Sequence, residues 1–200
     1  MRSESSILLF SRAQILATHL YRIIVIDPQI EVKDPSILRE NIRNGATQDN
    51  FRHSMVPVLL GIQAADGRLP SAIGGRHITQ SKDVWLLQGE RTLSIGKGIC
   101  TDHAAAAAFE FLKIVNSFHC EAKTEIISYT KHAFVVVNRG AGVRCPDQWG
   151  DDAFVIDIWF QNHFVPNFFN GVYWVQDCTH PMSMKLRKHA HRLRVEVTLS

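Results

Sequence analysis

The sequence predicts an α+β protein built around an antiparallel sheet. Three observations carry this. Amphipathic helical spacing appears early, over residues 12–24. An alanine-rich tract follows at 104–108, where five alanines in a row favour helix. Beyond it come short β-branched and aromatic runs separated by loops. Helices followed by strands imply an antiparallel sheet rather than alternating βαβ units. At 200 residues the chain is expected to form a single domain, 1–200, large enough to bury a core without disulfides or metals. Residues 1–80 read as a mainly helical and loop N-terminal part, and 96–200 as the sheet-bearing core.

In residues 12–24, Ile15, Leu16, His19, Leu20, Ile23 and Ile24 line one helical face, and Asp27-Pro28 ends the helix. Residues 34–44 suggest a second short helix, with Asp34 as cap, Pro35 in the first turn and Gly45 at the end. The segment 61–80 carries Gly61, Gly67, Pro70, Gly74 and Gly75 and reads as loop. Gly96-Lys97-Gly98 reads as a flexible turn. A helix is then predicted from about Cys100 to Val115, with Ala104, Ala108, Phe111, Leu112 and Val115 as its buried stripe. Strands are predicted at 122–128, 132–138, 153–160, 172–177 and 193–199, with a loop over 140–151.

An apolar fraction of 46% and a charged fraction of 20% are ordinary for a globular protein. The formal charge of +3 implies neither a nucleic-acid nor a membrane partner. The apolar tetrad Ile7–Phe10 is too short for a signal-peptide core. The run Ile23–Ile26 stops at Asp27, and no stretch approaches the roughly 20 apolar residues of a membrane span. The cysteines Cys100, Cys120, Cys145 and Cys178 are irregularly spaced and include no Cys-x-x-Cys pair, which points away from a disulfide framework and towards a reducing compartment. A cytoplasmic location is expected.

Cys100 draws attention because a glycine turn delivers it to the first turn of a helix. Unpaired amides and the helix dipole there favour a negative charge, which lowers a cysteine pKa and raises its nucleophilicity. A lone cysteine in such a place is more often buried and inert; two other residues change the balance. His132 opens the strand His132–Val137, and Asp157 lies inside Phe154–Trp159. If these strands form a hairpin across the 139–152 loop with Asn138 opposite Ala153, Asp157 falls opposite Phe134. It is then diagonal to His132 on one sheet face, within reach of a hydrogen bond, whereas a one-residue slip would turn it away. A carboxylate among apolar neighbours is costly unless paired; orienting a histidine base is one reason for it, and accepting backbone or arginine hydrogen bonds is another.

Gly98-Ile99-Cys100-Thr101-Asp102-His103-Ala104 resembles the Gly-(Val/Ile)-Cys-x-Asp-x-Ala signature of the transglutaminase-like superfamily. His132-Ala133-Phe134 resembles its His-Ala-aromatic strand, and Phe154-Val155-Ile156-Asp157 the strand that ends in its catalytic Asp. The three motifs come in the family's order over about residues 96–160. The resemblance implies a papain-like core, with a helix carrying Cys packed on an antiparallel sheet carrying His and Asp. It implies a Cys100–His132–Asp157 triad acting by acyl transfer on an amide of a protein substrate: glutamine deamidation, transamidation or peptide-bond hydrolysis. Several bacterial effectors and toxins share that core, so delivery into a host cytosol is the alternative location. The chain departs from the family where Ile158-Trp159 replaces the common Pro-Thr, and in its long 139–152 loop.

Such chemistry needs no cofactor. Its oxyanion would be held by the backbone amide of Cys100 and by an upstream side chain, Trp85 or Gln88, whose plainer readings are a core tryptophan and a surface glutamine. Cys178, His180, His189 and His191 form one Cys-x-His and one His-x-His pair, but these are not the usual zinc spacings, and no metal is expected. Lys185, Arg187, Lys188, Arg192 and Arg194 run through the same segment and read as a solvated face. Trp149, Trp159, Phe160, Phe164, Phe168, Phe169, Tyr173 and Trp174 form an aromatic-rich stretch, mostly core. The alternative function is a catalytically silent papain-like module that binds a partner protein.

Overall fold

The computed structural model describes residues 1–26, 81–98, 100–129, 132–159 and 171–200. The helix expected over 34–44, the loop over 61–80 and the aromatic residues Phe160, Phe164, Phe168 and Phe169 lie outside the described residues.

Helix α1 (Glu4–Ile23) begins well before the residue 12 expected from periodicity, because Ser3 caps it by accepting the Ser6 amide on its hydroxyl. The apolar tetrad 7–10 therefore belongs to its first turns. Leu9, Ala13, Leu16, Ala17 and Leu20 are buried along one side. A second helix, α2 (Lys82–Ile95), was not anticipated. Its buried face holds Val84, Trp85, Gln88, Gly89 and Thr92, too polar and too small a set to read as an apolar stripe. Gly96 closes α2 in the left-handed conformation at φ 72°. The expected flexible turn is thus a helix cap followed by a short strand: β1 (Val25–Ile26) pairs in parallel with β2 (Lys97–Gly98).

Helix α3 (Cys100–Ser117) buries Ala104 through Ala108, Phe111 and Val115, while Leu112 is only half-buried. Its alanines let neighbours approach closely. At Gly89 of α2, a Cβ would lie 2.4 Å from the Ala105 carbonyl oxygen, so the crossing of α2 and α3 requires glycine.

Five strands follow: β3 (Thr124–Tyr129), β4 (His132–Val137), β5 (Phe154–Ile156), β6 (Val172–Trp174) and β7 (Arg194–Thr198). They form one antiparallel sheet in the order β6-β5-β4-β3-β7. Val137 faces Phe154 and Val135 faces Ile156, which is the register that aligns Asn138 with Ala153. Two strands are shorter than expected. β5 stops at Ile156, after which Ile158 and Trp159 are helical, and β6 stops at Trp174 in a turn.

Both faces of the sheet are covered. Ile126, Val135, Val137, Phe154 and Ile156 share a core with α1, α3 and Trp85. Ile127, Tyr129, Phe134, Val136 and Val155 pack with Trp149, Met182, Leu186 and Leu193. The second cover corrects the reading of the basic segment as merely solvated. Helix α4 (Pro181–Lys188) buries Met182, Ser183 and Leu186 beneath its charges. The described residues thus form four α-helices and a five-stranded antiparallel sheet, a mixed α+β fold. Among them no helix is long and apolar enough to cross a membrane.

Candidate active site

Cys100 is the first residue of α3 and His132 the first residue of β4. The start of the helix meets the end of the sheet. Asp157 follows β5 directly, where its amide donates to the Gly171 carbonyl at 2.7 Å. The hairpin register carries its carboxylate to His132, and Asp157 Oδ2 lies 2.6 Å from His132 Nε2. The Asp157 side chain is 1% exposed and that of His132 12%, so the pair is shielded from water but not sealed.

With Nε2 taken by Asp157, the other ring nitrogen is left for chemistry. Nδ1 is buried without a hydrogen bond of ordinary geometry among the described residues. The Cys100 thiol also acts on the ring's charge. Burial on its own would lower the His132 pKa; the charge and hydrogen bond of Asp157, with smaller contributions from Cys100, overcome it and raise the pKa to about 10. Of the three residues expected from the sequence, His132 and Asp157 are in hydrogen-bond contact, and the Cys100 thiol lies close enough to favour the ring's charged form.

Aromatic rings surround the imidazole. Trp159, Tyr129 and Phe134 lie 5.2, 5.7 and 5.8 Å away between centroids. Tyr129 sits directly across the β3–β4 hairpin from His132. Burial first, then the nearby charges of Asp157 and Cys100, push its phenol up to about 12, so it stays neutral and adds no competing anion. Tyr173, deeper on the same face, is raised well above its ordinary value by burial, Asp157 and Tyr129. Tyr129 is a site residue that sequence reasoning missed. A signal was present, since two strands separated by a very short loop place Tyr129 opposite His132.

The other side of Cys100 is held by polar burial. Asp102 is 2% exposed and accepts a 2.8 Å hydrogen bond from Gln88 Nε2, itself 2% exposed. Gln88 is thus a core residue rather than a surface glutamine, with its Nε2 engaged and its Oε1 buried without a hydrogen-bond partner among the described residues. A Cβ on Gly98 would lie 2.4 Å from the Asp102 Cβ, which explains the glycine two residues before the cysteine. Trp85 is 5% exposed, and its indole Nε1 is buried with no hydrogen-bond partner among the described residues.

The Cys178, His180, His189 and His191 side chains do not converge. His180 Nδ1 accepts the Met182 amide at 3.3 Å and its ring stacks on Tyr173, whereas His189 lies at the far end of α4 stacked on Tyr129. Among the described residues no group of three or more His, Cys, Asp and Glu side chains is placed to hold a metal ion. In comparisons with family models, curated proteins and solved structures, nothing matches this chain.

Proposed function

We propose that this protein is a cysteine-dependent acyl-transfer enzyme, with a papain-like arrangement of Cys100, His132 and Asp157, acting on an amide of a protein substrate. The observation that carries the reading is a buried carboxylate 2.6 Å from one nitrogen of an imidazole whose charged form is also favoured by a thiol at a helix start.

In this reading the Cys100 thiolate attacks the amide carbonyl and the C=O π electrons move to oxygen. His132, held as imidazolium by Asp157, gives its Nδ1 proton to the leaving nitrogen as the C–N bond breaks, releasing ammonia from a glutamine or an amine from a peptide bond. The neutral imidazole then takes a proton from water, or from an acceptor amine, as that nucleophile attacks the thioester; the C–S bond breaks and Cys100 leaves as thiolate, restoring the thiolate–imidazolium pair. Asp157 keeps the ring oriented and favours its charged form throughout. The oxyanion needs donors. The Cys100 amide is one, at a helix end where backbone N–H groups lack helical partners. Trp85 Nε1, a buried donor without a partner, is a better second candidate than Gln88, whose Nε2 is already given to Asp102.

The decisive experiment is Cys100→Ala, assayed on protein substrates for ammonia release, glutamine-to-glutamate mass shift and peptide cleavage in parallel. Loss of the nucleophile should lower whichever activity is present by a factor of about 10³ or more. The circular dichroism spectrum and melting temperature should change little, since sulfur is replaced by a small apolar group. Full retention of the biological effect by this variant would overturn the enzyme reading in favour of a silent binding module.

A further inference from the structure

The C-terminal basic segment is placed by the fold beside the candidate active site. His189, which ends α4, stacks on Tyr129 with ring centroids 5.5 Å apart and planes 12° from parallel. Tyr129 in turn meets the His132 ring edge-on at 5.7 Å. Arg192, Lys188 and Lys185 lie near His189 and, after burial, lower its pKa, and Arg192 Nε donates to His191 Nε2 at 3.1 Å. Lys188, His191 and Arg192 are exposed.

Of the neighbouring carboxylates, Asp147 is paired with Arg187, while Asp177 and Glu196 accept from the hydroxyls of Thr179 and Ser128. Among the described residues neither Lys188 nor Arg192 pairs with a carboxylate. Like charges held together repel one another, and an anionic partner relieves that repulsion on binding.

We infer that the Lys188–Arg192 face is a subsite for an acidic polypeptide segment, one that flanks the amide presented to Cys100. The inference rests on the proposed acyl-transfer reading and adds a substrate preference to it. Protein is favoured over nucleic acid because the adjoining thiol and imidazole suit amide chemistry. In addition, Tyr129 is buried and takes one face of the His189 ring, which leaves no run of exposed aromatic platforms for bases.

The test uses the full-length protein. Three fluorescein-labelled probes are compared: a peptide with glutamine flanked by Asp and Glu, the same peptide with Ser in place of the acids, and an oligothymidylate of matched charge. On the Cys100→Ala background, anisotropy should show the acidic peptide binding about tenfold more tightly than the neutral one at low salt, with the difference shrinking as ionic strength rises. The oligothymidylate should bind more weakly than the acidic peptide. Adding Lys188→Gln and Arg192→Gln should bring the acidic peptide to the level of the neutral one, in a protein whose circular dichroism is unchanged. With Cys100 present, the ratio of kcat/KM for the two peptides should fall in parallel. Equal binding of the two peptides, a double variant that keeps the preference, or tighter binding of the oligothymidylate would each overturn the subsite. If neither peptide reacts in a Cys100-dependent way, the enzyme reading fails, while the anisotropy measurements still decide the subsite on their own.

Discussion

Asp157→Asn tests the electrostatic heart of the site. The His132 pKa is raised from an ordinary 6.5 to about 10, against a burial penalty that acts in the opposite direction. A group whose folded-state pKa is raised adds stability that is fully present below the unfolded value and is lost as pH climbs through the folded one. Here the window runs from 6.5 to about 10. At about 1.4 kcal/mol per tenfold change in proton affinity, the pair contributes at most on the order of 5 kcal/mol below that window. The asparagine amide keeps the shape of the side chain but removes the charge that outweighs burial. In Asp157→Asn the imidazole should be neutral at pH 7. The alkaline loss of stability assigned to His132 should vanish with it. The assay is the thermal midpoint followed by circular dichroism from pH 5 to 10 for both proteins, with the His132 ring resonances followed by NMR. The wild type should lose stability across the window and the variant should lose several kcal/mol less. Wild-type His132 resonances that titrate near 6.5, or superimposable pH profiles for the two proteins, would refute the reasoning.

Two further outcomes concern the scaffold. Arg139 holds Glu125, which is 1% exposed, through Nε and Nη2 hydrogen bonds of 2.7 and 2.9 Å. Arg139→Ala should therefore destabilise in urea denaturation by less than the about 3–5 kcal/mol of an uncompensated buried charge, because Lys123 and Thr198 still reach the carboxylate, and adding Glu125→Gln should recover part of that loss. Gly89→Ala should destabilise by about 1–3 kcal/mol despite alanine's better helix propensity, because the new Cβ overlaps Ala105 and Phe109. A more stable Gly89→Ala protein would show that α2 and α3 do not cross so closely.

The site was more legible in the sequence than its surroundings were. The β4–β5 register entered as a supposition, Asn138 opposite Ala153, and the strands adopt it; alternation narrows the alignment only to steps of two residues, each of which keeps Asp157 on the side of His132. Helix α3 was legible because its alanines and Phe111 recur at helical spacing. Helix α2 was not, because a face made of Gln88, Gly89 and Thr92 earns its burial through a hydrogen bond to Asp102 and a close crossing at Ala105, both tertiary facts. Helix α4 was obscured for the opposite reason. Lys185, Arg187 and Lys188 dominate its composition, while Met182 and Leu186 alone supply the apolar contact. The early start of α1 turns on Ser3, whose capping role depends on local geometry that composition does not specify.

The parts of the site are held from different sides, and this explains why the motif around Cys100 is longer than chemistry alone requires. Hairpin pairing positions His132 and Asp157, so their relation depends on backbone hydrogen bonds and on the two apolar faces of the sheet. Cys100 is positioned from the helical side. Gly98 lets the incoming chain lie against Asp102, Asp102 is held by Gln88 of α2, and α2 is seated on α3 through Gly89. The separation of thiol and imidazole is then set by how closely α3 lies on the sheet, which the buried alanines 104–108 keep small. Bulkier side chains there would lift the helix and carry the sulfur with it, leaving the His132–Asp157 pair intact. In the proposed reaction Gly98, Asp102 and the alanines are thus positioning residues. They set the place of an atom that none of them needs to touch.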